Sequence, residues 1–541
     1  MKLSQARLST FALTSLVFLA GLILNKANTA TNPPKSKPSV GVNLAGVSYY
    51  STEDPFKDGF KSSEPWRATL VDPTNGGFTK WGTGEDSKIP KDAHGWVTSL
   101  KGVHQYNAVA TIIFGGQNGA YPKGQDDQYL ATYQGQGKIF YSGDATLVSH
   151  TVLPNKTSQD ILKIKQSNAG IWLAITQIDP RNYIKNIRIL PKQYSKNYQN
   201  DIFNPDFLRV IKPFSTLRFM DWMHTNNDLT QYTWNNRPQP SNVSWENVPV
   251  EVMVALANKT NSNPWFNMPT AATDDYIKKF AQYTKTHLNP NLKVYIEYSN
   301  EVWNDSFKQA QYAREQGLAH QLSQDPSYAK LYWYAQRTRK IVDIWKEVYG
   351  QQRSKNINGV LCFGGYLPTQ PELEYLKTHG GFEGIKALAI AAYFGYYLGD
   401  PTVASQVQNW DKDKLFNEIT KGEIKKGGAL QDEYRQIAQY ASLAKKYNLE
   451  LVAYEGGQHL VGHNGIESNQ KITDLFIKFN RDPRMQLIYE QFVSKWRQLG
   501  GGLFNHYSDV TPYTKWGSWG ALENLNQKSS AKYAVLKSFS H

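Results

Sequence analysis

The fold class this sequence predicts is an α/β (β/α)₈ TIM barrel carrying an inserted all-β, sandwich-like domain between its first and second strands. Three observations predict it. Apolar runs of strand length alternate with helical segments over most of the 541 residues, and eight such runs can be counted. One stretch, residues 64–198, breaks the alternation with β-rich runs alone.

Residues 1–30 stand apart from the fold. Lys2 and Arg7 precede an apolar stretch, Leu8 to Leu24, and a polar segment ending in Ala30 follows. This reads as a signal peptide or an uncleaved N-terminal anchor, and either implies export in a bacterium to the periplasm, cell surface or medium. Residues 31–39 (TNPPKSKPS) form a linker too polar to pack. The first barrel strand opens the 40–63 segment with Val40–Val47. Within 64–198, runs such as Ala108–Phe114, Gln128–Tyr133 and Ile171–Thr176 are separated by Gly-rich turns, which describes a β-sandwich insertion. The remainder of the barrel, 199–541, supplies the other seven strands. They are Thr216–Trp222, Asn263–Pro269, Leu292–Ser299, Gly359–Gly364, Ile385–Tyr393, Leu449–Tyr454 and Gly502–Tyr507. The helix before the fourth begins at Thr273-Asp274-Asp275, an N-cap with an acidic first turn. It sets Ile277, Phe280, Ala281, Thr284 and Leu288 on one face.

Composition narrows the partners. Aromatics are 13% of the chain, with 15 Trp and 33 Tyr, and such flat faces suit both large cores and sugar rings. The formal charge is +14, and a solvated basic surface is its plain reading; an acidic polysaccharide is the second. No run of five consecutive basic residues and no nucleic-acid motif occurs, which argues against nucleic acid. A membrane enters only through the N-terminal anchor. Cys362 is the single cysteine, so no intrachain disulfide forms. His224, His459 and His506 lack metal-ligand spacing, so no metal and no cofactor is expected. No Gly-x-Ser-x-Gly elbow is present, which argues against a serine hydrolase.

Active sites of this barrel lie at the C-terminal strand ends. The polar and aromatic groups there are Arg218, Trp265, Asn267, Asn300, Glu301, Tyr393 and Glu455, with Trp303 in the loop after strand four and Trp516 and Trp519 after strand eight. Glu301 and Glu455 follow apolar strands four and seven, across the mouth from each other. Two facing carboxylates are what glycosidic cleavage requires: one protonates the leaving oxygen, the other attacks or stabilises the anomeric carbon. Glu297, two alternations deeper, reads as a barrel-interior acid partnered by a base such as Arg218. Asp221 can contact sugar hydroxyls or cap a loop.

Asn300-Glu301 in the fourth unit, Glu455 in the seventh and Arg218 in the second together resemble the clan of retaining (β/α)₈ glycoside hydrolases that includes cellulases, mannanases and β-galactosidases. The resemblance covers roughly residues 40–60 and 200–520. It implies Glu301 as acid/base, Glu455 as nucleophile and Asn300 as ligand of the sugar 2-hydroxyl. It implies substrate contacts at Arg218, Tyr393 and either Trp516 or Trp519, while Trp265, Asn267 and Trp303 stand at the mouth as further ones. Val302, where many cellulase-like members have Pro, and the β-rich insertion depart from the common plan. The expected reaction is retaining cleavage of β-glycosidic bonds in a poly- or oligosaccharide. It requires carboxylates about 5–5.5 Å apart and Glu301 as the one with the raised pKa. A transglycosylase would use the same residues, and a non-catalytic carbohydrate-binding protein would keep the aromatic cleft without a facing pair. The insertion could bind glycan or only wall the cleft.

Overall fold

The computed structural model describes residues 39–540 apart from 73, 101–105 and 365–369. The N-terminal segment and all of the linker except Ser39 lie outside the described residues. Eight parallel strands close into a barrel: Val40–Asn43, Thr216–Arg218, Asn263–Met268, Val294–Tyr298, Ile357–Gly364, Ile385–Phe394, Glu450–Gln458 and Gly501–His506. Closure is direct, with Val40 opposite Phe504 and Val42 opposite His506. Parallel strands need covering helices on the outside, and the segments between strands supply them. In the helix Asp274–His287 the Thr273 side chain accepts from the Tyr276 amide, and Tyr276, Ile277, Phe280, Ala281 and Thr284 are buried against the barrel.

Two apolar layers result. The outer layer joins helices to the strands' outward faces. The inner one fills the barrel with Trp265, Tyr295, Val360, Cys362, Ala389, Val452, Tyr454 and Leu503, so the interior is packed and not a pore.

Between the first and second barrel strands lie two antiparallel sheets. One has four strands, in spatial order Lys185–Pro191, Gln128–Gln134, Ser158–Ile164 and Ala145–Val152. The other has five: Phe78–Lys80, Arg67–Val71, Ala108–Ile113, Ile171–Ile178 and Gly137–Gly143. Both contribute to one core that includes Trp66, Val109, Tyr129, Leu162, Leu173 and Ile189. Three of these strands carry no readable sequence signal. Phe78–Lys80 and Arg67–Val71 are too short to show a period, and Ala145–Val152 is an edge strand exposed at every residue after Ala145. The insertion is fastened to the loop that follows barrel strand one. Gln117 Nε2 donates to the Ser51 carbonyl (2.8 Å) and to Asp54 Oδ1 (3.1 Å), and the Ile189 amide donates to Asp58 Oδ1 (2.9 Å). It also meets the loop after strand two, where the Val243 amide donates to the His94 carbonyl (2.9 Å).

Candidate active site

Strand four stops at Tyr298, and the next three residues turn sharply to present Glu301. Ser299 (φ 59°) and Glu301 (φ 43°) both adopt the left-handed region, which costs a non-glycine residue about 1–3 kcal/mol. The turn is tied down on several sides. The Ser299 amide donates to the Met268 carbonyl (2.8 Å), Asn267 Nδ2 to the Ser299 carbonyl (2.9 Å), and Gln309 Nε2 to the Asn300 carbonyl (2.8 Å). Glu301 Oε1 then accepts from the Tyr454 hydroxyl (2.8 Å) and Oε2 from Asn304 Nδ2 (3.1 Å).

Glu455 stands inside strand seven. Alternation would send adjacent residues to opposite faces, yet Tyr454 and Glu455 both face the site. A register shift opposite Ile390 and Ala391 explains it: Ala453 pairs with Ile390 and Glu455 with Ala391, a bulge that re-aims the carboxylate inward. The following glycine is dictated by packing, because a Cβ on Gly456 would lie 2.5 Å from the Ala392 carbonyl oxygen and 2.9 Å from the Phe504 ring. Glu455 Oε1 accepts from the Tyr393 hydroxyl (3.2 Å), and Oε2 accepts from Arg218 (3.3 Å).

Arg218 is fully buried and every donor of its guanidinium is used. Nε and Nη2 donate to the two oxygens of Glu297 (2.9 and 2.8 Å). Nη2 also donates to Asn300 Oδ1 (2.7 Å), and Nη1 to Asn43 Oδ1 (2.8 Å) as well as to Glu455. Glu297 is thus the interior partner the sequence suggests.

Burial raises both facing carboxyls. For Glu301, hydrogen bonds from Asn304 and Tyr454 and the charge of Arg218 oppose that rise. For Glu455, burial and then the charge of Glu301 lift the carboxyl well above its ordinary range, against Arg218 and Tyr393. The expectation that Glu301 alone is raised is therefore corrected. The cation beside Glu455 is shared with Glu297, so it does not cancel the burial of Glu455. Both carboxyls thus stand above the usual carboxylate range, Glu455 well above it.

Both carboxylates line one cavity of about 700 Å³, a ligand-sized cleft, together with Asn300, Trp303, Tyr393 and Trp519. Three predicted substrate contacts do not line it. Trp265 is fully buried inside the barrel, stacked on Tyr295, with Nε1 donating to Glu297 Oε2 (2.7 Å). Asn267 is fully buried as the strut under the Ser299 turn. Arg218 has no donor left for a ligand. All three stand on strands whose inward side chains sit below the mouth, a depth that chain position alone does not reveal. Trp516, 65% exposed, lines an adjoining cavity, while Trp519 belongs to both.

The sequence reading missed Tyr454, which donates to Glu301, and the cavity-lining Asn304, Tyr507 and the group Tyr396, Asp432 and Glu433. Tyr454 was legible only through the bulge. Asn304, three residues beyond Glu301, was within reach of a turn argument. His459 lines the cavity, with burial lowering its pKa to about 4, so the imidazole is neutral. Among the described residues, no group of three or more His, Cys, Asp or Glu could hold a metal ion.

No protein-family model matches the sequence, and a search of curated proteins finds no match. Solved structures similar to the chain include a 4-O-α-L-rhamnosyl-β-D-glucuronidase from Fusarium oxysporum, at 11% identity and TM-score 0.37, covering 64% of this chain and 66% of that one. An exo-β-1,4-mannosidase from Opitutaceae bacterium strain TAV5 matches at 12% identity and TM-score 0.32, over 62% of this chain and 54% of that one. A xyloglucan-specific endo-β-1,4-glucanase from a metagenomic library, in complex with cellotriose, matches at 12% identity and TM-score 0.33, over 64% and 91%. The chain thus spans less than two thirds of the first two of these proteins.

Proposed function

We propose that this protein is an exported glycoside hydrolase that cleaves β-glycosidic bonds by a retaining double displacement. The observation that carries the reading is the pair Glu301 and Glu455 on one ligand-sized cavity, each oriented by its own donors. Glu455, beside Arg218 and Tyr393, attacks the anomeric carbon. Glu301, held by the neutral donors Tyr454 and Asn304, protonates the leaving oxygen and later deprotonates water against the glycosyl-enzyme. Asn300, fixed by Arg218 and by a bond to Asn226 Oδ1 (2.8 Å), faces the same cavity and is suited to the 2-hydroxyl. Trp519 supplies an aromatic wall. A purely carbohydrate-binding protein would have no use for two buried carboxylates on one cavity.

Following the anomeric protons of released sugar by NMR during hydrolysis tests the mechanism. The β-anomer appearing first supports retention; the α-anomer first indicates inversion and removes Glu455 from the nucleophile's role.

A further inference from the structure

We infer that the catalytic cavity continues into a groove that ends on the β-sandwich insertion and takes several consecutive units of a linear glycan lacking acidic groups. The inference rests on the hydrolase reading for its catalytic end only.

Continuity comes first. A second cavity of about 470 Å³ shares Tyr507 and Trp519 with the catalytic one. A third, of about 310 Å³, shares Val47, Ser48, Tyr50 and Glu246 with the second, and its far wall is Glu64, Pro65 and Arg67, where the insertion begins. The insertion also fixes the near wall, through the bonds from Gln117 to Ser51 and Asp54.

The second observation is where aromatic surface is left uncovered. Four aromatic side chains are among the exposed large hydrophobics: Tyr50 (60%), Tyr328 (44%), Tyr396 (53%) and Trp516 (65%). Three of them line these cavities, Tyr396 at the catalytic end, Trp516 in the middle and Tyr50 toward the insertion. Leaving large aromatic faces in water is unfavourable unless a ligand covers them, and flat rings fit the C–H faces of successive sugars. Tyr396 is backed by the stacked ring of His463 and Trp516 by Lys515, so each has a support on one side.

Charge selects the glycan. The second and third cavities are lined by the carboxylates Asp221, Glu246 and Glu64. Arg67, the one Lys or Arg lining them among the described residues, is ion-paired to Glu64 (2.9 Å) and Asp86 (2.8 Å). Apart from Lys515 behind Trp516, a polyanion would find acids and no unpaired Lys or Arg among the described residues there, despite the +14 of the whole chain. The acidic polysaccharide that net charge alone suggests is therefore set aside for an uncharged one.

The test uses the full chain carrying Glu455→Gln, so that ligand is bound and not consumed. Affinity electrophoresis is run against neutral mixed-linkage β-glucan, glucomannan and xyloglucan, and against alginate and polygalacturonate. Retardation by at least one neutral polymer and by neither anionic one is expected. Adding Trp516→Ala or Tyr50→Ala should weaken it about fivefold to tenfold. Affinity for oligosaccharides of the retained polymer should rise with length to about four units, and the Tyr50→Ala change should remove only the last part of that rise. Retardation by the anionic polymers, by no polymer at all, or equally in the aromatic variants overturns the groove. Reducing-end release by the unmodified protein is scored separately. Cleavage with no gain beyond two units sinks the groove alone, whereas neutral-polymer binding without any cleavage sinks the hydrolase reading alone.

Discussion

Strand four ends before it presents its carboxylate, whereas strand seven presents its own from within the strand, and the two mountings differ in chemistry as well as in geometry. Glu301 rides on a left-handed turn and is touched only by neutral donors, the Tyr454 hydroxyl and the Asn304 amide. Glu455 is re-aimed by a bulge and is touched by a guanidinium. A neutral donor tolerates a protonated carboxyl beside it, while a cation favours the ionised form. The cation thus suits Glu455 to be nucleophile and the neutral donors suit Glu301 to carry the proton, although burial and the charge of Glu301 raise the Glu455 carboxyl as well. The turn further shows that backbone strain is accepted where it aims a reacting group.

Substitutions at each mounting should separate these roles. Replacing Glu455 by Gln should have the largest effect, lowering kcat by about four orders of magnitude, or ~5.5 kcal/mol of barrier, with no loss of thermal stability. Steady-state kinetics and a melting curve check both halves. Glu301→Gln should cost about 10²- to 10⁴-fold in kcat/KM on substrates with poor leaving groups and much less in kcat/KM on aryl glycosides, whose first step needs no protonation. Its pH profile should also change. Activity of the parent should rise as Glu455 ionises and fall as Glu301 does, both above the usual carboxylate range. The falling limb belongs to Glu301 and should vanish in the variant.

Arg218→Met removes the cation common to Glu297 and Glu455 and should destabilise the fold by about 3–5 kcal/mol, measured by denaturant unfolding. Asn267→Ala releases the strand-four turn. It should lower kcat about tenfold and leave KM unchanged, whereas a direct substrate contact would raise KM. A separate, pH-dependent effect is expected between insertion and barrel, at Asp54. Its carboxyl is buried with a single hydrogen bond from Gln117, and burial pushes its pKa up to about 8. A raised acid favours the fold fully below its unfolded pKa near 4, and that contribution is lost as pH rises toward 8. Melting temperature should therefore decline over this range in the parent and decline less in Asp54→Asn.

The barrel was legible because apolar runs of strand length recur between helical segments along most of the chain. The positions of Glu301 and Glu455 followed from strand order, since residues at the C-terminal ends of strands four and seven reach the same mouth. Depth along a strand was not legible. Trp265 and Asn267 read as mouth residues, yet a closed barrel interior takes inward side chains in layers, and these two belong to lower ones. Tyr454 was hidden for a different reason. Strict alternation assigns it the face opposite Glu455, and only the bulge puts both on one side. In the insertion, the edge strand Ala145–Val152 is exposed at every residue after its first, so no alternation was selected into it.

The account depends most on whether the facing pair cleaves glycans at all. Reducing-end release should be measured for the unmodified protein and for Glu455→Gln across a panel of neutral and acidic polysaccharides. Release from at least one glycan by the parent and none by the variant is expected. Equal release by both proteins, or none by the parent on any glycan, would contradict it.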